Sequence, residues 1–345
     1  MMRTRDGEIG IELEWRCSLR VPLLLWDIPM RVFAYLSVFL LGFLMTSQAA
    51  QTYAERLGWK AEDRVLILHI DDAGMSHGSN LGVMQSMEQG VANSLSIMMP
   101  CPWVPELVNW IQQNPTVDSG LHLTMTAEWK LYRWGPLAGK AAVPGLVDAQ
   151  GCLWHSVEQV CAHASPDEVE KEIRAQIERA EKLGIEITHL DSHMGTLFAR
   201  ADYFERFLKV GIEKQIPILA VGGHMTHTQE ENGAAAKALL PLAPKIWAAG
   251  LPVIDDLHTS VTSWKPTEKK ERLFKLIREL KPGITEILFH ASVMTEELPL
   301  ITGSAASRHA DTQLLKDPEL KALLREQNIH LTTWRELKKR RDAAK

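Results

Sequence analysis

Along residues 64–332, short apolar runs alternate with amphipathic helical patterns, and this alternation limits the fold more than any other feature. Candidate strands cover residues 64–70, 94–99, 118–123, 187–191, 216–220, 252–257, 285–290 and 329–332. Helical patterns lie between them at 78–89, 104–113, 166–183, 202–214, 233–248, 267–280 and 313–326. Strands separated by helices pair in parallel, with each helix as a crossover. About seven to eight such units predict an α/β fold, an irregular (β/α) barrel, rather than a short open sheet. In either arrangement the functional residues belong at the C-terminal ends of the strands.

Some helix ends are written in the sequence. Ser165-Pro166-Asp167-Glu168 combines an N-cap serine, a proline at the first helical position and a glutamate placed for a capping box. Gly184 stops that helix, and Asp202 with Glu205 predicts the same start for the next one. Residues 124–165 are long for a connection and read as an excursion over the barrel mouth, carrying Trp129, Tyr132 and Trp134. With 46% hydrophobic residues the chain can build one large core over residues 51–345. A formal net charge of −5 leaves no basic footprint, which argues against a nucleic-acid partner.

The first strand poses the chemical question. "RVLILHIDD" runs from apolar, β-branched residues straight into Asp71 and Asp72, with no basic residue close behind them. Two adjacent buried carboxylates repel each other and call for a compensating cation. Other strand ends supply polar residues too: His122 in "GLHLT", His189, Asp191 and His193 in "THLDSH", Asp255, Asp256 and His258, then Glu286 and His290 in "TEILFH". In a barrel these converge on one mouth. Two histidines and a carboxylate make an open site for a divalent ion. Simpler readings stand beside this one. Asp72 ahead of Gly74 and Ser76 also fits a turn or helix N-cap, and His189 fits a hydrogen-bonded core residue.

The N-terminus is of another kind. Arg31, the apolar run from Val32 to Met45 and the small residues of "SQAA" follow the order of a secretory signal peptide. The apolar run is shorter than the roughly 20 residues a spanning helix needs. Residues 1–50 are therefore expected to be an N-terminal extension plus signal, with translation starting at Met30 and cleavage near Ala49 or Ala50. The mature chain is then exported, periplasmic or secreted, without stable membrane insertion. Cys101, Cys152 and Cys161 remain, and a Cys152–Cys161 disulfide is permitted but not required.

The segments "ILHIDDAGMSHGSNLGVMQSMEQGVANSLSIMMPCPW", "DSGLHLTMT", "THLDSHMG" and "TEILFHAS" resemble, in order and spacing, the YdjC-like carbohydrate deacetylases. These are relatives of the polysaccharide deacetylases, with a β/α-barrel-type fold. The resemblance implies Asp71 as catalytic base and Asp72, His122 and His193 as ligands of one divalent metal ion, Zn, Mg or similar. It implies His290 as general acid or oxyanion stabiliser and Asp191 as an orienting or substrate-binding group. "SRHADTQLLKDPEL" matches the family's late segment more loosely and brings in Arg308 and Asp311. Trp129, Tyr132 and Trp134 are expected either to stack on sugar faces or to form the excursion's own core. The implied reaction is hydrolysis of the N-acetyl group of an acetylated amino sugar. An ester or phosphoester hydrolase, or a non-catalytic carbohydrate-binding protein, are the alternatives. The chain departs from the family pattern at Met194-Gly195-Thr196-Leu197-Phe198, where further histidines are usual, and at Ala73 and Ala291.

Overall fold

The computed structural model describes residues 51–344, so the expected signal peptide falls outside the described residues. The chain begins with α1 (Tyr53–Arg56), closed by a Thr52–Glu55 capping box, and enters β1 (Arg64–Ala73). There follow α2 (His77–Glu88), β2 (Ser94–Ile97), α3 (Val104–Gln113) and β3 (Ser119–Leu123). A long irregular connection with a 3-10 turn at Pro144–Leu146 leads to α4 (Val157–His163), α5 (Pro166–Lys182) and β4 (Leu190–Ser192). Next come α6 (Ala201–Lys214), α7 (Thr226–Leu239), α8 (Ala243–Ala248), β5 (Asp256–His258), α9 (Lys269–Glu279) and β6 (Gly283–Phe289). The chain ends with α10 (Leu298–Ile301), α11 (Ala305–Leu315), α12 (Pro318–Glu326), β7 (His330–Leu331) and α13 (Trp334–Ala343).

Every strand pair is parallel, in the order β4-β3-β2-β1-β6-β5, with β7 on the first residues of β1. The expected strand at 216–220 is reduced to isolated bridges, Leu190 with Ile218 and Val221 with Ile254. Those bridges join β4 to the segment ahead of β5 and complete an irregular barrel. Pro217 removes a donor from this segment and Pro252 from the next, so neither forms a full ladder.

Alternation along β1 builds two cores. Leu66, Leu68 and Ile70 point outward into the layer shared with the helices, beside Leu95, Leu121, Ile173 and Phe207. Val65 and Ile67 point inward with Leu219, Ile254 and Ile284, and Trp334 and Leu337 of α13 plug the bottom of the tube. Helix α13 is absent from the expected elements, although Thr333 caps it by accepting from the Glu336 backbone N–H. Two other expectations need correction. The helix expected at 313–326 is two helices, because Pro318 forces a break and Asp317 caps the second. Asp202 does not cap α6; the N-cap is Arg200, which pairs with Asp202. The Ser165–Glu168 capping box forms as the sequence predicts. Cys101, Cys152 and Cys161 are all free thiols.

Candidate active site

In a regular strand Asp71 and Asp72 would face opposite sides of the sheet. The register between β1 and β2 slips between Ile70 and Ala73, and Asp72 takes a left-handed φ of 60°. Such bulges re-aim side chains, and a non-glycine residue there costs of order 1–3 kcal/mol. Here the distortion brings both carboxylates to the barrel mouth. The N-cap reading of Asp72 is replaced: Ser76 caps α2 by accepting from the Ser79 backbone N–H.

Three donor atoms meet above Asp72. His122 Nε2 lies 3.4 Å and His193 Nδ1 3.2 Å from Asp72 Oδ1. One ligand atom from each of the three residues lies within 4.8 Å of the other two. The outer nitrogens are committed elsewhere. His122 Nδ1 bonds Asp191 Oδ1 at 2.7 Å, and His193 Nε2 sits 3.1 Å from both oxygens of Glu128. This is the pattern in which a second carboxylate fixes which imidazole nitrogen faces a metal. Neither buried oxygen of Asp72 has a hydrogen-bond donor, although Arg308 Nη2 forms an ion pair with Oδ2 at 2.7 Å. The donor set therefore fits a divalent cation, with Asp72, His122 and His193 as its holders.

The electrostatics agree. Burial works against the Asp72 anion, but Arg308, His290 and His193 hold its carboxyl well below the usual range. Burial likewise opposes a charged His193, yet Glu128 and Asp72 carry it up to about 10. His122 is also raised, against burial, by Asp71 and Asp191. Protons accumulate on these imidazoles because the carboxylates around them want positive charge.

His290 follows β6, and its Nε2 lies 3.7 Å from Asp72 Oδ2 and 3.9 Å from Asp71 Oδ2. Asp311 accepts its backbone N–H at 3.0 Å and pairs with the buried Lys269, so α9 and α11 together fix this histidine. Burial, aided by Arg308 and His122 against the pull of Asp72, lowers His290 to about 4. At neutral pH it offers one N–H rather than a full positive charge.

Several expected residues land elsewhere. Of the two places expected for Asp191 the structure shows the orienting one, behind His122, and not a substrate contact: it is 2% exposed, with Oδ1 on His122 and Oδ2 3.2 Å from His69 Nε2. Trp134 is 5% exposed, packs edge-on against Trp129 and Tyr132, and donates its indole N–H to Thr126 O. It is the core of the excursion and has no open face for a sugar. Trp129 stands at the rim, with the Arg308 guanidinium 5.8 Å from its ring centre. Asp255 does not reach the mouth; it receives the backbone N–H groups of Tyr53, Ala54 and Ile284. Asp256 caps α7 through His227 and Thr228 N–H, and His258 pairs with Glu231. Sequence reasoning missed Glu128 and His69. For His69 the signal was present, a lone ionisable residue at the same parity as Asp71 in an apolar run. Glu128 sits in an irregular segment with no period to mark it.

The mouth opens into a cavity of about 1010 Å³ that reaches from Asp71, Asp72 and His290 past Arg308 towards Phe204 and Leu257. That volume is at the upper end of the roughly 300–1,000 Å³ usual for small-molecule pockets.

Known proteins share this chain's pattern. The carbohydrate deacetylase of Thermus thermophilus is 30% identical over 282 residues, 81% of this chain and 96% of that one. The carbohydrate deacetylase of Thermoanaerobacter pseudethanolicus is 28% identical over 275 residues, 80% of this chain and 100% of its own. A crystal structure from Enterococcus faecalis V583, described as a candidate cellobiose-phosphate cleavage protein, shares the fold. Its TM-score is 0.68 at 22% identity, over 80% of this chain and 99% of that one. The family described as YdjC-like protein matches residues 65–326, and with the barrel and its mouth in place the chain belongs to that family.

Proposed function

We propose that this chain is a metal-dependent hydrolase that removes the N-acetyl group from an acetylated amino sugar. One observation carries the reading: Asp72, His122 and His193 offer donor atoms within 4.8 Å of one another, with Asp71 beside them. Full-length relatives named carbohydrate deacetylase support the substrate class. A bound divalent ion would lower the pKa of a water and polarise the acetyl carbonyl.

The chain's own residues do the rest. Asp71 has Oδ1 held by the Ser96 hydroxyl at 3.3 Å, and Oδ2 is the oxygen on the His290 side. In this reading Oδ2 takes the proton from the attacking water as the C–O bond forms. The His290 N–H donates to the negative charge developing on the carbonyl oxygen. The proton on Asp71 then passes to the amine nitrogen as the C–N bond breaks, which yields acetate and a free amino sugar. Arg308 holds Asp72 ionised throughout.

Acetate release from N-acetylglucosamine and its oligomers, with Zn²⁺, Mg²⁺, Co²⁺ or Ni²⁺ supplied in turn, tests the reading. Activity that survives Asp72→Ala or His193→Ala would overturn it, and turnover of only ester or phosphoester substrates would move the reaction to those bonds. The signal-like residues 30–50 support a site of action outside the cytoplasm, which cell fractionation tests.

A further inference from the structure

Beneath the mouth lies a second polar layer, one step further down the barrel. His69 is fully buried at its centre, with Asp71, Asp191, Asp118, Glu286 and His189 around it. Its Nδ1 lies 2.9 Å from Ser94 Oγ, and Ser94 gives its only hydroxyl hydrogen to Asp118 Oδ2 at 2.8 Å. Asp118 also takes the backbone N–H groups of Trp334 and Arg335, one on each oxygen, which fixes it as an acceptor. Ser94 must therefore accept a hydrogen from Nδ1. On the other side, Nε2 lies 3.1 Å from Asp71 Oδ1 and 3.2 Å from Asp191 Oδ2. The Ser96 hydroxyl, 3.0 Å from Nε2, is itself turned to Asp71. Both ring nitrogens thus face acceptors, and both need a hydrogen.

We infer that His69 is a positioning residue, a buried imidazolium that clamps the base Asp71 and the carboxylate Asp191 from below. This rests on the deacetylase reading. Through Asp71 it pins Oδ1 and leaves Oδ2 to meet water. Through Asp191 it fixes the carboxylate that selects the metal-facing nitrogen of His122. One cation thus sets both the base and a ligand while touching neither substrate nor metal. The environment favours its charge: burial opposes it, but the close carboxylates of Asp191 and Asp71, with Glu286 beyond them, outweigh that and hold His69 well above the ordinary histidine range. His189, edge-on at 5.0 Å, is pushed the opposite way by burial and does not compete.

The test begins with ¹⁵N-histidine NMR of the whole protein at pH 7.5, with the His69 signals assigned by their loss in His69→Gln. Two protonated ring nitrogens are expected; one bare nitrogen overturns the inference. His69→Leu should lower kcat about 10- to 100-fold with KM little changed, and weaken Co²⁺ binding about tenfold. His69→Gln, which keeps a donor near Nε2, should recover most of both. A role in packing alone would put Gln no nearer to wild type than Leu, and that result overturns the inference. If wild-type protein releases no acetate from any sugar, the deacetylase reading fails, and the nitrogen spectrum and Co²⁺ affinities still decide this one. If His69→Leu does not fold, the spectrum decides alone.

Discussion

The two halves of the barrel interior are made from the same strands, a residue pair apart, and they do opposite work. The lower half, Val65, Ile67, Ile254 and Ile284 above the Trp334 plug, is apolar and closed. The upper half, His69, Asp71, Asp191 and Glu286, is just as buried and almost wholly ionisable. Burial of apolar surface stabilises the first at about 25 cal/mol per Å². The second must offset desolvation by pairing charge against charge, and it does so incompletely: Asp72 and Glu286 keep oxygens without hydrogen-bond donors. One half holds the tube shut so that the other can tolerate an unfavourable charge arrangement.

The sharpest way to break this comparison is to neutralise the upper half without changing its shape. Asp71→Asn should lower kcat about 10²–10⁴-fold, the usual weight of a general base, while the melting temperature holds or rises. Steady-state kinetics with thermal unfolding of the same sample checks both. In the lower half the effects should reverse. Trp334→Ala empties the plug and should cost about 3–5 kcal/mol, read by urea denaturation. Its kcat, measured well below the unfolding transition, should stay near wild type. A kcat loss that matches the stability loss would show that the halves are not separable.

The apolar half was the legible one. The unbroken apolar runs in "VLILHI" and "TEILF" locate β1 and β6 to within a few residues, because a strand buried on both faces marks itself in the local sequence. The Asp pair, His122, His193 and His290 were legible as strand-end residues for the same reason. What sequence could not give were contacts set by the path of irregular backbone. Glu128 reaches His193 only because the excursion folds back over the mouth, and Asp255 turns from the mouth to tie down α1. Trp134 shows the converse, an aromatic residue expected at the site that the loop needed for its own packing.

Glu128 sharpens the comparison from outside the barrel wall. Its carboxyl is held below the usual range: burial opposes ionisation, but His193 prevails. Glu128→Gln should weaken metal binding about 10- to 100-fold, as loss of an outer-shell partner does, with kcat at saturating metal much less affected. Calorimetric titration with Zn²⁺ or Co²⁺ measures it. Unchanged affinity would mean that Glu128 only packs against His193.

Per pH unit, the smallest effect should come from Glu286, which stands where the two halves meet. Its carboxyl is fully buried, and burial, with Asp191, Asp71 and Asp118 adding to it against the pull of His69, pushes it up to about 8. The unfolded chain loses this proton near the ordinary glutamate value of about 4.3. A carboxyl raised in the folded state contributes stability that is complete below the unfolded value and is lost as pH climbs towards the folded one. Between about pH 4.5 and 8 the wild-type protein should therefore lose stability relative to Glu286→Gln, by at most about 1.4 kcal/mol per pH unit. Paired urea titrations at pH 5, 6 and 7 read the slope. A flat difference would place a charged Glu286 in the interior, and the polar layer would then need a second cation besides His69 to hold it.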